Sequence, residues 1–179
     1  LDQVSDELVE MTRLVGSAMN RATQSLLDAD LALAESVIAG DEAIDAIASK
    51  VEADCFQVSA RQQPVATDLR IIVAALRISA SLERMGDLAE HIAKAARMRY
   101  PGSAVPVQLR PTFQAMGAVA QNVVAKTGSV IATKDVSLAE DAVAWMGQTH
   151  LWRIRYQPEE AFRTIDVGQP FVVSDPQLR

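Results

Sequence analysis

Two pairs of carboxylates stand out because the members of each pair are four residues apart on a predicted helix. Asp41 and Asp45 form the first pair, and Glu83 and Asp87 form the second. Residues four apart lie on the same face of a helix. Glu90 follows Asp87 by three residues and extends the second pair. Oxygen ligands of this kind favour hard cations such as Mg²⁺, Mn²⁺, Ca²⁺ or oxidised iron over zinc.

The two pairs meet only if their helices are antiparallel neighbours. Pro64 lies between them, and a proline pushes the residue before it out of the helical region. Asp45 lies about 20 residues before this turn and Glu83 about 18 after it, so at roughly 1.5 Å per residue both are about 30 Å from it. The sequence therefore predicts that the pairs face each other. Such a cluster requires cations or raised pKa values.

The carboxylates, His91 and a row of arginines each have more than one interpretation. Most runs of charge are solvated, so the carboxylates are alternatively an exposed helix surface. His91, next to Glu90, is predicted to be structural or to support the site from outside its ligand set. Arg70, Arg77 and Arg84 repeat every seven residues. They form either a solvated stripe or a surface that docks an acidic partner or makes internal ion pairs.

Apolar residues at spacings of three and four predict helices along most of the chain. The predicted helices cover residues 2–28, 31–62, 69–96, 110–132 and 135–144. Asp30 is expected to cap the second helix. After residue 144 the helical periodicity is lost, and residues 145–179 are predicted to be irregular or disordered. A change of reading frame is a further explanation of this tail.

Composition argues against several classes of protein. A net charge of −6 argues against general nucleic-acid binding, which needs clustered positive charge. No apolar run reaches the roughly 18 residues of a membrane span, and no signal peptide is visible. The single cysteine, Cys55, fits a reducing compartment, and its spacing predicts a buried position. No phosphate-binding loop, nucleophile elbow or Ser-His-Asp arrangement supports catalysis.

The segments RQQPVATDLR, residues 61–70, and LERMGD, residues 82–87, strongly resemble the PhoU family of regulators of bacterial phosphate uptake. The resemblance extends more loosely over roughly residues 1–144. It implies an all-α fold, in which an antiparallel three-helix bundle is followed by a partial second repeat and the irregular tail. The expected divisions are a bundle at 1–100, a linker at 101–110, the partial repeat at 111–144 and the tail at 145–179.

The resemblance also implies metal binding and a regulatory role. PhoU proteins bind metal clusters through E/DxxxD motifs, which match Asp41 with Asp45 and Glu83 with Asp87 here; Glu90 is added from helix geometry. Family members are cytoplasmic and commonly dimeric, and they couple the phosphate transporter ATPase to a sensor histidine kinase. We therefore expect a non-enzymatic homodimer that represses the phosphate-starvation response, with Mg, Mn or Fe as the cation and Zn less suited.

Two alternatives to this expectation stay open. A ferritin-like carboxylate metalloenzyme or metal store would also use a cluster of acids, but such bundles take Glu-x-x-His motifs from two helices. A plain helical scaffold would leave the acids solvated. No E/DxxxD motif follows Asp87, which leaves the family's second metal site without matching residues.

Overall fold

A computed structural model describes residues 1–62, 66–148, 165–166 and 170–171. It contains α1 (Asp2–Asp28), α2 (Leu31–Gln62), α3 (Ala66–Arg99), a short 3-10 helix (Val107–Leu109), α4 (Arg110–Thr133) and α5 (Val136–Gln148). Two short strands, β1 (Ile165–Asp166) and β2 (Pro170–Phe171), pair antiparallel with Ile165 opposite Phe171. The chain divides into two compact units, residues 1–134 and 135–179. The predicted all-α fold is confirmed.

The first three helices pack against one another as an antiparallel bundle, as predicted. One hydrophobic cluster of this bundle includes Met11, Val15, Ile44, Val51 and Leu82. The other includes Met19 and Val37 together with Ala22, Ala89 and Ala93, whose small side chains let the helices approach closely. Cys55 is 1% exposed within the first cluster, which confirms its prediction as a small buried side chain.

The connection between α1 and α2 is short and capped on both sides. Asp30 Oδ1 accepts a hydrogen bond from the backbone N–H of Leu33 at 2.9 Å, as expected of a residue that starts a helix. Ala29 ends α1 in the left-handed conformation, with φ 54° and ψ 40°, and its N–H donates to the carbonyl of Ser25. This conformation usually selects glycine, because a Cβ crowds the following carbonyl oxygen.

We expect Ala29→Gly to raise the free energy of unfolding by about 0.5–1 kcal/mol, because glycine adopts the left-handed conformation without that crowding. Urea unfolding measures the change. Ala53→Gly is the matched control, since Ala53 is exposed within α2, where glycine should cost about 1 kcal/mol. A loss of stability in both variants would contradict the expected strain at Ala29.

Helix α4 packs against α1 in a regular antiparallel register. The facing positions are Gly128 with Thr12, Val124 with Gly16, and Gly117 with Thr23. A Cβ at Gly128 would lie 2.5 Å from Thr12 Oγ1, and one at Gly117 would lie 2.5 Å from Thr23 Oγ1. Asn20 Nδ2 donates to Gln121 Oε1 at 3.0 Å between these contacts. Glycine at two positions of α4 therefore sets the separation of the two helices.

Ionic contacts connect α1 and α4 at both ends of their interface. Arg110 donates to the carbonyl of Leu27 and, at 2.9 Å, to Asp28 Oδ1. Lys134 Nζ lies 3.5 Å from Asp2 Oδ1 at the other end. These contacts place α4 in the same compact unit as the first three helices.

The predicted divisions of the chain are not decided by this packing. Val105, in the predicted linker at 101–110, is 4% exposed and packs in the second hydrophobic cluster. The first unit ends at residue 134, whereas the predicted repeat boundaries fall at 100, 110 and 144. Compactness does not determine where one repeat ends, so these divisions stay a prediction. Helix α5 extends to Gln148, so residues 145–148 of the predicted irregular tail are helical. Further along that tail, residues 149–164, 167–169 and 172–179 lie outside the described residues.

Candidate metal centre

Three of the five predicted carboxylates meet between α2 and α3. One oxygen from each of Asp41, Asp45 and Asp87 lies within 4.8 Å of the other two. Asp41 and Asp45 are one turn apart on α2, and Asp87 reaches the same point from α3. The two helices lie side by side, as the turn at Pro64 predicts, although residues 63–65 lie outside the described residues.

Gly86 allows the close approach of α3 to α2 at this point. A Cβ at Gly86 would lie 3.0 Å from Asp41 Oδ1 and 3.0 Å from Ile44 Cδ1. Ile44 is 1% exposed and Gly86 is buried, so the carboxylates stand beside the apolar core. Asp41 is half-buried, while Asp45 and Asp87 are exposed. The cluster is therefore open to solvent on one side and closed by packed helices on the other.

The carboxylates of the cluster repel one another. Burial raises the pKa of Asp41 above its ordinary value, and the negative charges of Asp45, Glu90 and Asp87 raise that pKa further. The positive charge of Lys94 acts in the opposite direction. Lys94 Nζ is paired with Glu90 Oε2 at 2.5 Å, one helical turn away. A cation among these groups would remove a repulsion that Lys94 offsets only in part.

A carboxyl whose pKa is raised by folding destabilises the fold once it ionises. We therefore expect Asp41→Asn to be more stable than the wild type near pH 7 in the presence of chelator. The difference should shrink as the pH falls and vanish below the ordinary pKa of 3.8, where Asp41 is protonated in both folded and unfolded chains.

Thermal unfolding between pH 3 and pH 7 measures this difference. Asp6→Asn, at an exposed carboxylate of α1, is the control and should show no comparable gain at pH 7. An Asp41→Asn variant that is less stable than the wild type near pH 7 would contradict the repulsion inferred for the cluster.

The other predicted residues of the site lie differently. Glu83 is exposed, and its carboxylate is not in the group of described oxygens that lie within 4.8 Å of one another. Glu90 is half-buried and acts on Asp41 through its charge. His91 is exposed, and within the described part of the chain no histidine joins the cluster. The described residues therefore do not build the Glu-x-x-His site of ferritin-like proteins. The ligand roles of Glu83 and Glu90 stay predictions.

Sequence reasoning overlooked two residues beside the cluster. Lys94 follows Glu90 by four residues, a spacing that by itself indicates an ion pair on a helix. The role of Gly86 depends on how closely two helices approach, which no spacing reveals. The available signal for it was that Gly86 is the one glycine in the sequence of α3.

The donor set fits a hard cation. Three carboxylates that are open to solvent on one side suit Mg²⁺, Mn²⁺ or Fe³⁺, with water completing the coordination shell. Zinc prefers nitrogen and sulfur ligands. Cys55 is buried in the core instead, and His91 does not join the cluster. The residues that would hold a cation are therefore Asp41 and Asp45 from α2 and Asp87 from α3.

Comparisons with known proteins agree with the resemblance seen in the sequence. The family model of the PhoU domain matches residues 8–96. The phosphate-specific transport system accessory protein PhoU homolog 2 of Mycobacterium bovis is 48% identical over 120 residues, which cover 67% of this chain and 56% of that protein. PhoU homolog 1 of Mycobacterium leprae is 43% identical over 135 residues, which cover 75% of this chain and 61% of that protein.

A solved structure extends the comparison to three dimensions. The crystal structure of PhoU from Pseudomonas aeruginosa matches with a TM-score of 0.75 and 28% identity, covering 89% of this chain and 76% of that one. The chain spans little more than half the length of the Mycobacterium bovis relative. Among the described helices, none has the length and apolar character needed to cross a membrane. By its matching domain, its relatives and its fold, this chain belongs to the PhoU family.

Proposed function

We propose that this chain is a non-enzymatic, cytoplasmic regulator of phosphate uptake. It acts as a homodimer, by contact with the ATPase of the phosphate transporter and with a sensor histidine kinase, and it represses the phosphate-starvation response. Relatives at 43% and 48% identity are named as accessory proteins of phosphate-specific transport, which supports the role. The observation that carries the proposed role is the similarity to these relatives, and the meeting of Asp41, Asp45 and Asp87 beside Gly86 supports its metal-dependent part.

The cluster gives the proposed regulator a metal-dependent element. A bound cation supplies positive charge between α2 and α3. Asp41 and Asp45 would hold it from one helix and Asp87 from the other, so that metal binding fixes the two helices relative to each other. We propose Glu83 and Glu90 as further ligands. To bind the cation, Glu90 would break its ion pair with Lys94.

The first half of α3 is the surface that we propose for protein contact. Leu69 is 50% exposed and Val73 is 39% exposed, although both are large apolar side chains. Arg70 and Arg77 lie beside them, both exposed, and no described carboxylate pairs with either. Apolar side chains interspersed with arginines are typical of protein interfaces. This surface suits a partner that offers apolar side chains and carboxylates.

A genetic experiment tests the regulatory role. Deleting the gene should activate a phosphate-starvation reporter in phosphate-rich medium, and the wild-type gene should restore repression. A triple variant with Asn at Asp41, Asp45 and Asp87 should restore it poorly, whereas the control Asp6→Asn should restore it fully. A reporter that ignores the deletion would rule out the regulatory role, and full restoration by the triple variant would rule out a part for the cluster.

A binding measurement with the purified transporter ATPase tests the surface on α3. Leu69→Glu should weaken the complex at least about tenfold, because it places a charge among apolar contacts. Leu88→Glu is the matched control, since Leu88 is also 50% exposed on α3 but lies outside its first half. Equal binding by the wild type and Leu69→Glu would show that the contact lies elsewhere.

A further inference from the structure

A cleft of about 530 Å³ lies between α1 and α4. It shares no residue with the carboxylate cluster, and no carboxylate is among the described residues that line it. Arg13, Ser17 and Arg21 line it from α1, and Gln121 lines it from α4. Six of the eight described residues that line it have polar side chains, unlike the apolar clusters in the interior of the bundle.

The residues from α1 are arranged in one row. Arg13, Ser17 and Arg21 are each four apart, so an arginine stands one turn before and one turn after a hydroxyl. Gly16, beside this row, adds no side chain to the cleft. The cleft therefore has a positive group at each end and a small, polar middle.

Arg21 is the stronger of the two cations for a ligand. It is half-buried and donates to Ser36 Oγ of α2, which fixes its position, and no described carboxylate pairs with it. A guanidinium has five N–H groups, so further donors remain. Arg13 is more exposed and is bound by Glu10 through two contacts of 2.8 and 2.5 Å. The charge of Arg13 is thus balanced, whereas that of Arg21 is not.

Neutral donors complete the cleft. The Ser17 hydroxyl bonds to no other described residue. Asn20 Nδ2 donates to Gln121 Oε1, which leaves the amide N–H groups of Gln121 for another acceptor. The cleft combines one unbalanced positive charge with hydroxyl and amide donors, a set that recognises an oxyanion.

We propose that this cleft binds a phosphate oxyanion, either inorganic phosphate or the end group of a short phosphate chain. The planar fork of arginine matches the geometry of phosphate oxygens. Arg13 and Arg21 are about 12 Å apart along α1 at their Cα atoms, so Arg21 is the residue that we expect to contact the oxyanion, while Arg13 stays bound to Glu10 at the other end of the cleft. The inference does not rest on the proposed function, because it uses neither the cluster nor the surface on α3.

The test is calorimetric titration of the full chain at low ionic strength. Chelator is present so that the anion cannot bind to a metal ion on the protein. The probes are inorganic phosphate and tripolyphosphate, and at least one should bind with a dissociation constant on the order of 1 mM or below. Tighter binding of tripolyphosphate assigns the cleft to a phosphate chain, and equal binding assigns it to a single phosphate group. Absence of binding by both would overturn the proposal.

Variants locate the binding. Arg21→Gln should weaken it roughly 10- to 100-fold through loss of charge-assisted hydrogen bonds. Arg97→Gln is the control, because it changes the net charge equally at an exposed position of α3. An equal loss of binding affinity in Arg21→Gln and Arg97→Gln would overturn the assignment to the cleft.

A second variant keeps the test valid if loss of the contact from Arg21 to Ser36 disturbs the fold. Ser17→Glu removes no described contact and places a negative charge inside the cleft. It should abolish binding of both probes, whereas Ser81→Glu, at an exposed serine of α3, should bind like the wild type. Retained binding by Ser17→Glu would overturn the proposal.

Discussion

Gly117→Ala should lower the free energy of unfolding by about 1–3 kcal/mol, the usual cost of extra volume in a packed interface. The new Cβ would lie 2.5 Å from both Oγ1 and Cγ2 of Thr23. Thr23 cannot turn away freely, because its hydroxyl donates to the carbonyl of Met19 at 2.8 Å. Relief therefore requires a shift of α4 away from α1, which would also stretch the hydrogen bond from Asn20 to Gln121. Urea unfolding measures the loss.

Replacement of glycine by alanine at another position, Gly40, should instead raise the free energy of unfolding. Gly40 lies inside α2, and a Cβ there would meet nothing within 4 Å. Gly40→Ala should therefore stabilise the protein by about 0.5–1 kcal/mol. Adding Thr23→Ala to Gly117→Ala should recover part of the loss, because it removes the two closest atoms. If Gly117→Ala stabilises the chain as much as Gly40→Ala, α1 and α4 are not packed this closely.

Asp87→Asn should change stability in opposite directions with and without metal. A cation at a hundredfold excess over its dissociation constant stabilises the wild type by about 2.7 kcal/mol. Asp87→Asn removes the one ligand that α3 supplies to the three meeting carboxylates, so most of this gain should disappear. In chelator the variant should be level with or more stable than the wild type, because the charge of Asp87 no longer raises the pKa of Asp41.

Thermal unfolding in chelator and in added Mg²⁺, Mn²⁺ or Fe³⁺ measures both effects. Asp6→Asn should respond to metal as the wild type does. If the carboxylates are only solvated, Asp87→Asn should change the free energy of unfolding by no more than about 0.5 kcal/mol, and equally with and without metal. A wild-type protein whose unfolding ignores all three cations would exclude the site.

Helices α1 and α2 were predictable because each carries a long periodic pattern and a clear stop signal. The predicted spans of α1 and α2 agree with the structure, and Asp30 caps α2 as expected. Pro64 separates two helices of similar length, so their antiparallel packing followed from the chain itself. That packing was enough to predict that Asp41 and Asp45 would meet carboxylates of α3.

Which carboxylates of α3 take part was not predictable from spacing. Glu83 and Asp87 lie on the same face of α3, and their sequence spacing treats them alike. Gly86 lies directly against Asp41 and Ile44 of α2, and its neighbour Asp87 joins the cluster, while Glu83, one turn earlier, remains exposed. The docking of α4 on α1 was also hidden, since the match of Gly117 to Thr23 exists only across the interface.

The pairing of glycine with threonine between α1 and α4 restricts how this interface can change during evolution. The space at each contact is fixed, so a larger side chain on one helix requires a smaller one on the other; the two contacts are Thr12 with Gly128 and Thr23 with Gly117. Among homologous sequences these positions should covary as reciprocal pairs. An insertion of one residue between the two pairs on a single helix would rotate one pair by about 100° out of contact. Both helices should therefore keep the same spacing, or change it together.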